Sequence, residues 1–249
     1  MSESNRRIVY FLPNVFTALN LACGFLSIIF SWKGLYYQAS MILILGVIFD
    51  SVDGRIARLT GTQSNFGEQF DSLSDMVSFG VAPAILVYHR FLVEHGRLGM
   101  IFPFIFMLCG ALRLARFNAN IGKVHSNFFQ GLPIPAAAYA MVGHTLLSIK
   151  IPVIAEWPQL AMAHIFFYSL LMISNMPFCS FKDSNWVKAH KRGALAIIFI
   201  LLVLMFVYEE FSILSLISFY VFSCIRYYFV NRKNFYDMFS WISEKDHDI

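Results

Sequence analysis

Ile48-Phe49-Asp50-Ser51-Val52-Asp53-Gly54-Arg55-Ile56-Ala57-Arg58 and, after eight intervening residues, Gly67-Glu68-Gln69-Phe70-Asp71-Ser72-Leu73-Ser74-Asp75 place four aspartates at the edges of two long apolar runs. Ionisable groups at that position are costly and face a polar cavity or a partner. Asp50 and Asp53 are spaced i, i+3 and Asp71 and Asp75 i, i+4, so each pair projects from one face of its helix. Four carboxylates meeting across two helices repel strongly unless a positive charge sits among them. Hard divalent cations with oxygen ligands meet that need, and Mg²⁺ usually brings substrate phosphates with it. Two such ions can stabilise both the attacking and the leaving oxygen of a phosphoryl transfer. Gly54 and Ala57 share the Asp50 face and leave room for a phosphate, which Arg58 could clamp. Spacing alone also allows a proton or cation relay in a transporter, or plain ion pairing of two of the carboxylates with Arg55 and Arg58.

Working outward, 58% of the 249 residues are hydrophobic and 14% are charged, and the mean hydropathy is +0.62. Soluble domains carry about 25% charged residues. Disordered and disulfide-stapled chains are thereby excluded, and the +4 net charge is too mild for nucleic acid as a partner. Stretches such as Leu98–Leu112, Ala194–Tyr208 and Phe211–Val230 are almost free of charge, and apolar runs of about 20 residues read as membrane spans. The expectation is an all-α polytopic membrane protein with about eight transmembrane helices. They fall near 12–32, 36–56, 70–90, 98–117, 132–149, 153–174, 194–208 and 211–230. The last two touch through Glu209-Glu210 and are the least clearly separated. With a cytoplasmic N-terminus, fifteen Lys and Arg fall inside and four, namely Lys33, Arg90, Arg97 and Lys150, fall outside. This positive-inside bias puts both termini, and the loops around 55–67, 116–131 and 179–192, on the cytoplasmic face.

The pattern Asp50-x2-Asp53-Gly54-x2-Ala57-Arg58-x8-Gly67-x3-Asp71-x3-Asp75 resembles the complete signature of the CDP-alcohol phosphatidyltransferases, with every fixed position filled. The resemblance implies an integral-membrane fold that joins a CDP-linked lipid to an alcohol and releases CMP. It also implies two divalent cations, Mg²⁺ or Mn²⁺. Asp50 and Asp71 would bridge them, Asp53 would hold the first, and Asp75 would hold the second and take the proton from the attacking hydroxyl. Gly54, Arg58 and Ser64 fall at positions resembling those that contact the CDP moiety. Further segments resemble the small membrane-integrated phosphatidylserine synthases within that family. They are Pro13-Asn14-x2-Thr17-x2-Asn20-Leu21-x2-Gly24, the run 70–83, Cys109–Asn118, the run 129–138 and Pro177–Lys182. The implied substrates are CDP-diacylglycerol and L-serine, in the cytoplasmic (inner) membrane. The implied assembly is a homodimer. Another alcohol, most plausibly glycerol 3-phosphate, is the alternative acceptor. A cation-coupled transporter is the rival from a different class, although all four carboxylates crowd into residues 50–75 rather than into two repeated halves.

Other residues read more quietly. Arg113 and Arg116, i, i+3 at the inner end of the fourth run, suit a diphosphate or a carboxylate, or else snorkel at the membrane edge. Asn14 and Thr17, one turn apart, could face a cytosine or ribose, or cap a helix starting near Pro13. Gly131-Leu132-Pro133-Ile134-Pro135 should break the chain before the fifth run. His125 and His144 lack ligand-spaced partners. The basic run Lys182, Lys188, Lys191 and Arg192 suits anionic lipid head groups. Cys23, Cys109, Cys179 and Cys224 show no metal or disulfide spacing and read as buried thiols. The Leu21–Gly24 stretch lacks the aliphatic residue of a lipidation box at Asn20, and the first run has no cleavage site and is expected to be retained. Residues 1–249 are read as a single catalytic membrane domain.

Overall fold

In the computed structural model, which describes residues 3–62, 64–120, 128–179 and 208–230, helices dominate. Helix α1 (Glu3–Trp32) turns at Gly34, φ 74°, into α2 (Tyr36–Thr60), which ends on Gly61 in the left-handed conformation, φ 63°. Glycine accepts that conformation without steric penalty. Helix α3 (Asn65–Asp75) runs on without a break through a wide π-helical turn (Met76–Val81), α4 (Ala82–Val87) and a second π-helical turn (Tyr88–Leu92). Pro83 explains the first widening. It has no N–H for the carbonyl one turn back, and its ring crowds that carbonyl. Helix α5 (Gly96–Ala119), strand β1 (Phe128–Gln130), α6 (Ile134–Lys150), α7 (Pro158–Ile173), strand β2 (Pro177–Cys179) and α8 (Glu209–Val230) follow.

Helical segments overlap seven of the eight stretches where spans are expected, and residues 194–207 of the remaining one lie outside the described residues. By length and composition, Pro13–Trp32, Asn65–Ala119 and Glu210–Val230 are apolar enough to cross a membrane. Large apolar side chains such as Phe25, Trp32, Phe219 and Phe222 point outward. The chain is an integral membrane protein. Three expectations need correction. Helix α1 begins at Glu3 and passes through Pro13, with its apolar stretch Pro13–Trp32 where the first span is expected. The helix-start cap considered for Asn14 and Thr17 therefore does not occur. Helix α7 begins at Pro158, after a 3-10 turn over Pro152–Glu156. The fold is also not purely helical. Strands β1 and β2 pair antiparallel, Phe129 opposite Phe178, and three-residue strands are too short to leave a periodic signal.

Helix α1 packs along α2, α5 along α7, and α8 along α6. The core between them is closed by Phe79, Phe106, Ile134, Met141, Ile165 and Phe178, all fully buried. Small residues allow the closest approaches. A side chain at Gly24 would meet Ser78 Oγ at 2.6 Å, and one at Gly110 would meet Ile134 at 2.8 Å. Pro133 precedes α6 and Gly131 has φ 76°, so the chain breaks where the sequence indicates. His144 stacks on His164 at 4.6 Å between α6 and α7. Cys23, Cys109 and Cys224 are free and buried, as expected of them.

Candidate active site

The loop between α2 and α3 sets the geometry of the carboxylates. Ser64 caps α3, accepting the Gly67 N–H at 3.1 Å. A Ser N-cap satisfies one of the orphan donors of a helix start, and it fixes where α3 begins relative to α2. With that start fixed, Asp71 on α3 comes to face Asp50 and Asp53 on α2. One oxygen from each of the three lies within 4.8 Å of the others. Asp53 is buried and the other two are half-buried. Asp75, one turn further along α3, is close enough to Asp50 for a side-chain hydrogen bond. Among the described residues no Lys or Arg forms an ion pair with any of them, the ion pair found being Lys150–Glu210.

That arrangement fits divalent metal. All the donors are oxygens, and Asp71 Oδ1 is buried with no hydrogen-bond partner. Two carboxylates roughly 5 Å apart repel by about 3 kcal/mol at an effective dielectric of about 20. A hard cation removes both the repulsion and the orphaned lone pair.

Helix α1 lies behind the carboxylates and holds two of them. Thr17 Oγ1 donates to Asp53 Oδ2 at 2.9 Å, and Asn20 Nδ2 donates to Asp75 Oδ1 at 3.3 Å. In return α3 and the π-helical turn donate to α1, Ser74 Oγ to the Thr17 carbonyl at 3.0 Å and Ser78 Oγ to the Asn20 carbonyl at 2.8 Å. Asn20 is completely buried. Sequence reading passed over it as a site residue, because its partner is 55 positions away. The available signal was a buried-type position carrying an amide one turn from Thr17.

In front of Asp53 and Asp71 a cleft of about 180 Å³ opens, lined by Asn14, Thr17, Gly54, Arg58 and Ser64 among others. These are the five residues expected at the nucleotide side. The Arg58 guanidinium folds over Gly54, where a Cβ would meet it at 3.9 Å. Asn14 Oδ1 lies 3.5 Å from the Cβ position at Gly67, so α1 also touches the start of α3.

Neither of the two arginines expected to bind an anion, Arg113 and Arg116 of α5, lines this cleft. Arg116 does not reach the cleft. Its Nη1 donates to the Ile173 carbonyl at 3.0 Å and to Asn175 Oδ1 at 3.2 Å, and its Nη2 donates to the carbonyls of Gln130, Met172 and Ser174 at 2.9–3.2 Å. Its charge sits on the negative end of α7. Arg113 is 7% exposed, and its Nε has no partner. The basic run 182–192 and His125 lie outside the described residues.

A family model described as CDP-alcohol phosphatidyltransferase matches residues 10–168. The chain is 35% identical over 226 residues to a CDP-diacylglycerol–serine O-phosphatidyltransferase of Helicobacter pylori, covering 90% of this chain and 94% of that one. It is 47% identical over 140 residues to the protein of the same name from Methanocaldococcus jannaschii, covering 56% of this chain and 62% of that one. It is also 39% identical over 169 residues to an archaetidylserine synthase of Methanothermobacter thermautotrophicus, covering 67% of this chain and 69% of that one. With the paired aspartates on adjoining helices and the matched region spanning α1 to α7, the chain belongs to the CDP-alcohol phosphatidyltransferase family.

Proposed function

We propose that this protein transfers the phosphatidyl group of CDP-diacylglycerol to the hydroxyl of L-serine, giving phosphatidylserine and CMP. The observation that carries the proposal is the convergence of Asp50, Asp53 and Asp71, with Asp75 alongside, at the wall of a cleft lined by the nucleotide-side residues. The names of relatives covering nearly the whole chain support serine as acceptor.

Asp50, Asp53, Asp71 and Asp75 would hold two divalent cations, Mg²⁺ or Mn²⁺. When bound, these neutralise the diphosphate and the departing phosphate. Asn14, Thr17, Gly54, Arg58 and Ser64 cradle the CDP moiety, Gly54 by leaving space and Arg58 by offering a planar fork to phosphate oxygens. Asp75 takes the proton of the serine hydroxyl. The serine oxygen forms a bond to the lipid-side phosphorus, the bond from that phosphorus to the bridging oxygen breaks, and CMP leaves with the bridging oxygen.

The arrangement in the cell follows from charge and composition. Fifteen Lys and Arg against four support eight spans, with both termini and the cleft facing the cytoplasm, in the cytoplasmic membrane. Residues 1–249 act as one catalytic domain, and the protein works as a homodimer among membrane lipids.

The test is CMP release by purified protein in detergent with CDP-diacylglycerol and Mg²⁺ or Mn²⁺, offering serine, glycerol 3-phosphate and inositol separately. Release that requires both serine and metal is the expected result. Release with another alcohol alone overturns the acceptor, and no release with any overturns the reaction.

A further inference from the structure

Helices α2 and α6 pack against each other and run antiparallel, and one arginine marks their register. Arg90 lies over the ring of Tyr36, the first residue of α2, at 5.3 Å, and donates to Ser148 Oγ near the end of α6 at 2.9 Å. From that level the facing stripes are Ala39 and Leu43 on α2 and Leu146 and Val142 on α6, all buried in one cluster with Tyr139 packed against it. Asp50, seven residues beyond Leu43, and Tyr139, seven before Leu146, continue these stripes. Asp50 is fourteen residues from Tyr36, about 21 Å, and Tyr139 is nine from Ser148, about 14 Å. A tyrosine leaning toward the start of its helix spans the remaining ~7 Å. The Tyr139 phenol accordingly lies within electrostatic reach of the Asp50 carboxylate. Tyr139 is half-buried, and among the described residues its hydroxyl has no hydrogen-bond partner. A phenol inside an apolar bundle usually finds one, and leaving it unpaired is costly.

We infer that the Tyr139 hydroxyl donates to an oxygen of the lipid-side phosphate, fixing the end of the diphosphate that is transferred. The inference rests on the proposed reaction and adds to it the group that meets the lipid end of the substrate. The cleft that takes the nucleotide in that reaction begins at Asp53 and runs past Gly54, Ala57 and Arg58 toward the end of α2, and Asp50 is not part of its lining. Asp50 lies one turn the other way, about 4.5 Å along the axis, on the side where Tyr139 stands. A diphosphate laid along the carboxylates therefore has its nucleotide end at Arg58 and its lipid end at Tyr139. The surroundings of Tyr139 agree with that polarity, a carboxylate on one side and Leu43, Leu86, Val142 and Leu146 on the other. A phenol suits such a boundary, with its ring among apolar side chains and its O–H offered to an anionic oxygen.

The experiment uses the full-length protein in detergent with Mg²⁺ or Mn²⁺ and measures equilibrium binding of CMP, CDP and CDP-diacylglycerol. CMP carries the nucleotide-side phosphate alone, CDP adds a phosphate in the lipid-side position, and CDP-diacylglycerol adds the glycerol esters. For Tyr139→Phe the affinities for CDP and CDP-diacylglycerol are expected to fall about tenfold, the scale of a lost hydrogen bond to a charged group. The affinity for CMP, the metal concentration that supports half-maximal CMP binding and the KM for serine should be unchanged. Tyr139→Met, which removes the ring with the hydroxyl, should weaken CDP to the same degree. A metal-induced shift in thermal unfolding shows that each variant is folded.

Unchanged CDP affinity in folded Tyr139→Phe overturns the inference, even where Tyr139→Met weakens CDP, since the ring would then act by packing alone. An equal fall for CMP overturns it by placing the hydroxyl at the nucleotide. A fall for CDP-diacylglycerol alone does so too, since the group held would then be a glycerol ester. A raised metal requirement for CMP binding would mean that Tyr139 orients Asp50 and overturns it as well. Wild-type protein that releases no CMP with serine overturns the reaction itself, while the comparison of CDP with CMP still decides the contact.

Discussion

Thr17 and Asn20 sit one turn apart on α1, and each ends on a carboxylate, Asp53 at 2.9 Å and Asp75 at 3.3 Å. Such outer hydrogen bonds orient ligating groups, and losing one typically costs about 10–100-fold in metal affinity. Thr17→Val keeps shape and removes the donor. We expect the Mg²⁺ or Mn²⁺ concentration for half-maximal activity to rise by about tenfold, with Thr17→Ser close to wild type. A Val variant with unchanged metal dependence would show that the hydroxyl serves packing alone. In the proposed reaction Asp75 takes the serine proton, and general-base groups contribute about 10²–10⁴-fold to rate. Asp75→Asn should therefore reduce CMP release by at least about 10²-fold while CDP-diacylglycerol still binds, measured by equilibrium binding of the labelled lipid nucleotide. Wild-type-like turnover would remove Asp75 as the base.

Two helices of the bundle end on an arginine borrowed from a neighbour. Arg90, in the second π-helical turn, donates to Ser148 Oγ at 2.9 Å and to the Ser148 carbonyl at 3.0 Å near the end of α6. Arg116 does the same for α7 and adds the Gln130 carbonyl, tying β1 to that end. Last-turn carbonyls have no partner within their own helix, and a cation there also meets the negative end of the helix dipole. Arg116→Ala is expected to lower unfolding stability by about 2 kcal/mol, from its charged hydrogen bonds. The KM for serine should be unchanged. Thermal unfolding and serine kinetics on the same preparation separate this role from substrate binding, and a raised serine KM with unaltered stability would contradict it. These arginines also mark what sequence could and could not reveal. The four aspartates were legible because helical spacing aligns them within 26 residues. Of the cleft residues, Gly54, Arg58 and Ser64 lie inside that run and were named through the family resemblance, while Asn14 and Thr17 were named from their one-turn spacing on the first apolar run. Arg116 read equally well as an anion binder, since backbone carbonyls leave no trace in residue type. The first π-helical turn and the β1–β2 ribbon were hidden for the same kind of reason, resting on one proline and on pairing across 49 positions.

At the scale of the whole molecule, the folded state gathers negative charge that the unfolded chain disperses. Oxygens of Asp50, Asp53 and Asp71 lie within 4.8 Å of one another, with Asp75 beside them, and no basic residue pairs with them among the described residues. Folding without a cation therefore works against this repulsion, while a cation that binds only the folded site stabilises it by mass action. At a free concentration about 100 times its dissociation constant that stabilisation is about 2.7 kcal/mol. For a chain of this length, 1 kcal/mol corresponds to roughly 2–4 °C in Tm. Removing divalent metal with a chelator should therefore lower the Tm by roughly 5–10 °C, and returning Mg²⁺ or Mn²⁺ should restore it. Asp71→Asn separates the two contributions. It removes one of the repelling charges, so the metal-free variant should unfold at a higher temperature than metal-free wild type. It also removes a ligand, so its response to added metal should be largely lost. Scanning unfolding in detergent, with and without chelator, reads all four states. A wild-type Tm insensitive to metal would mean that the carboxylates are not a cation site in the folded protein. A metal-free Asp71→Asn protein less stable than metal-free wild type would mean that Asp71 contributes more through packing than it loses through repulsion.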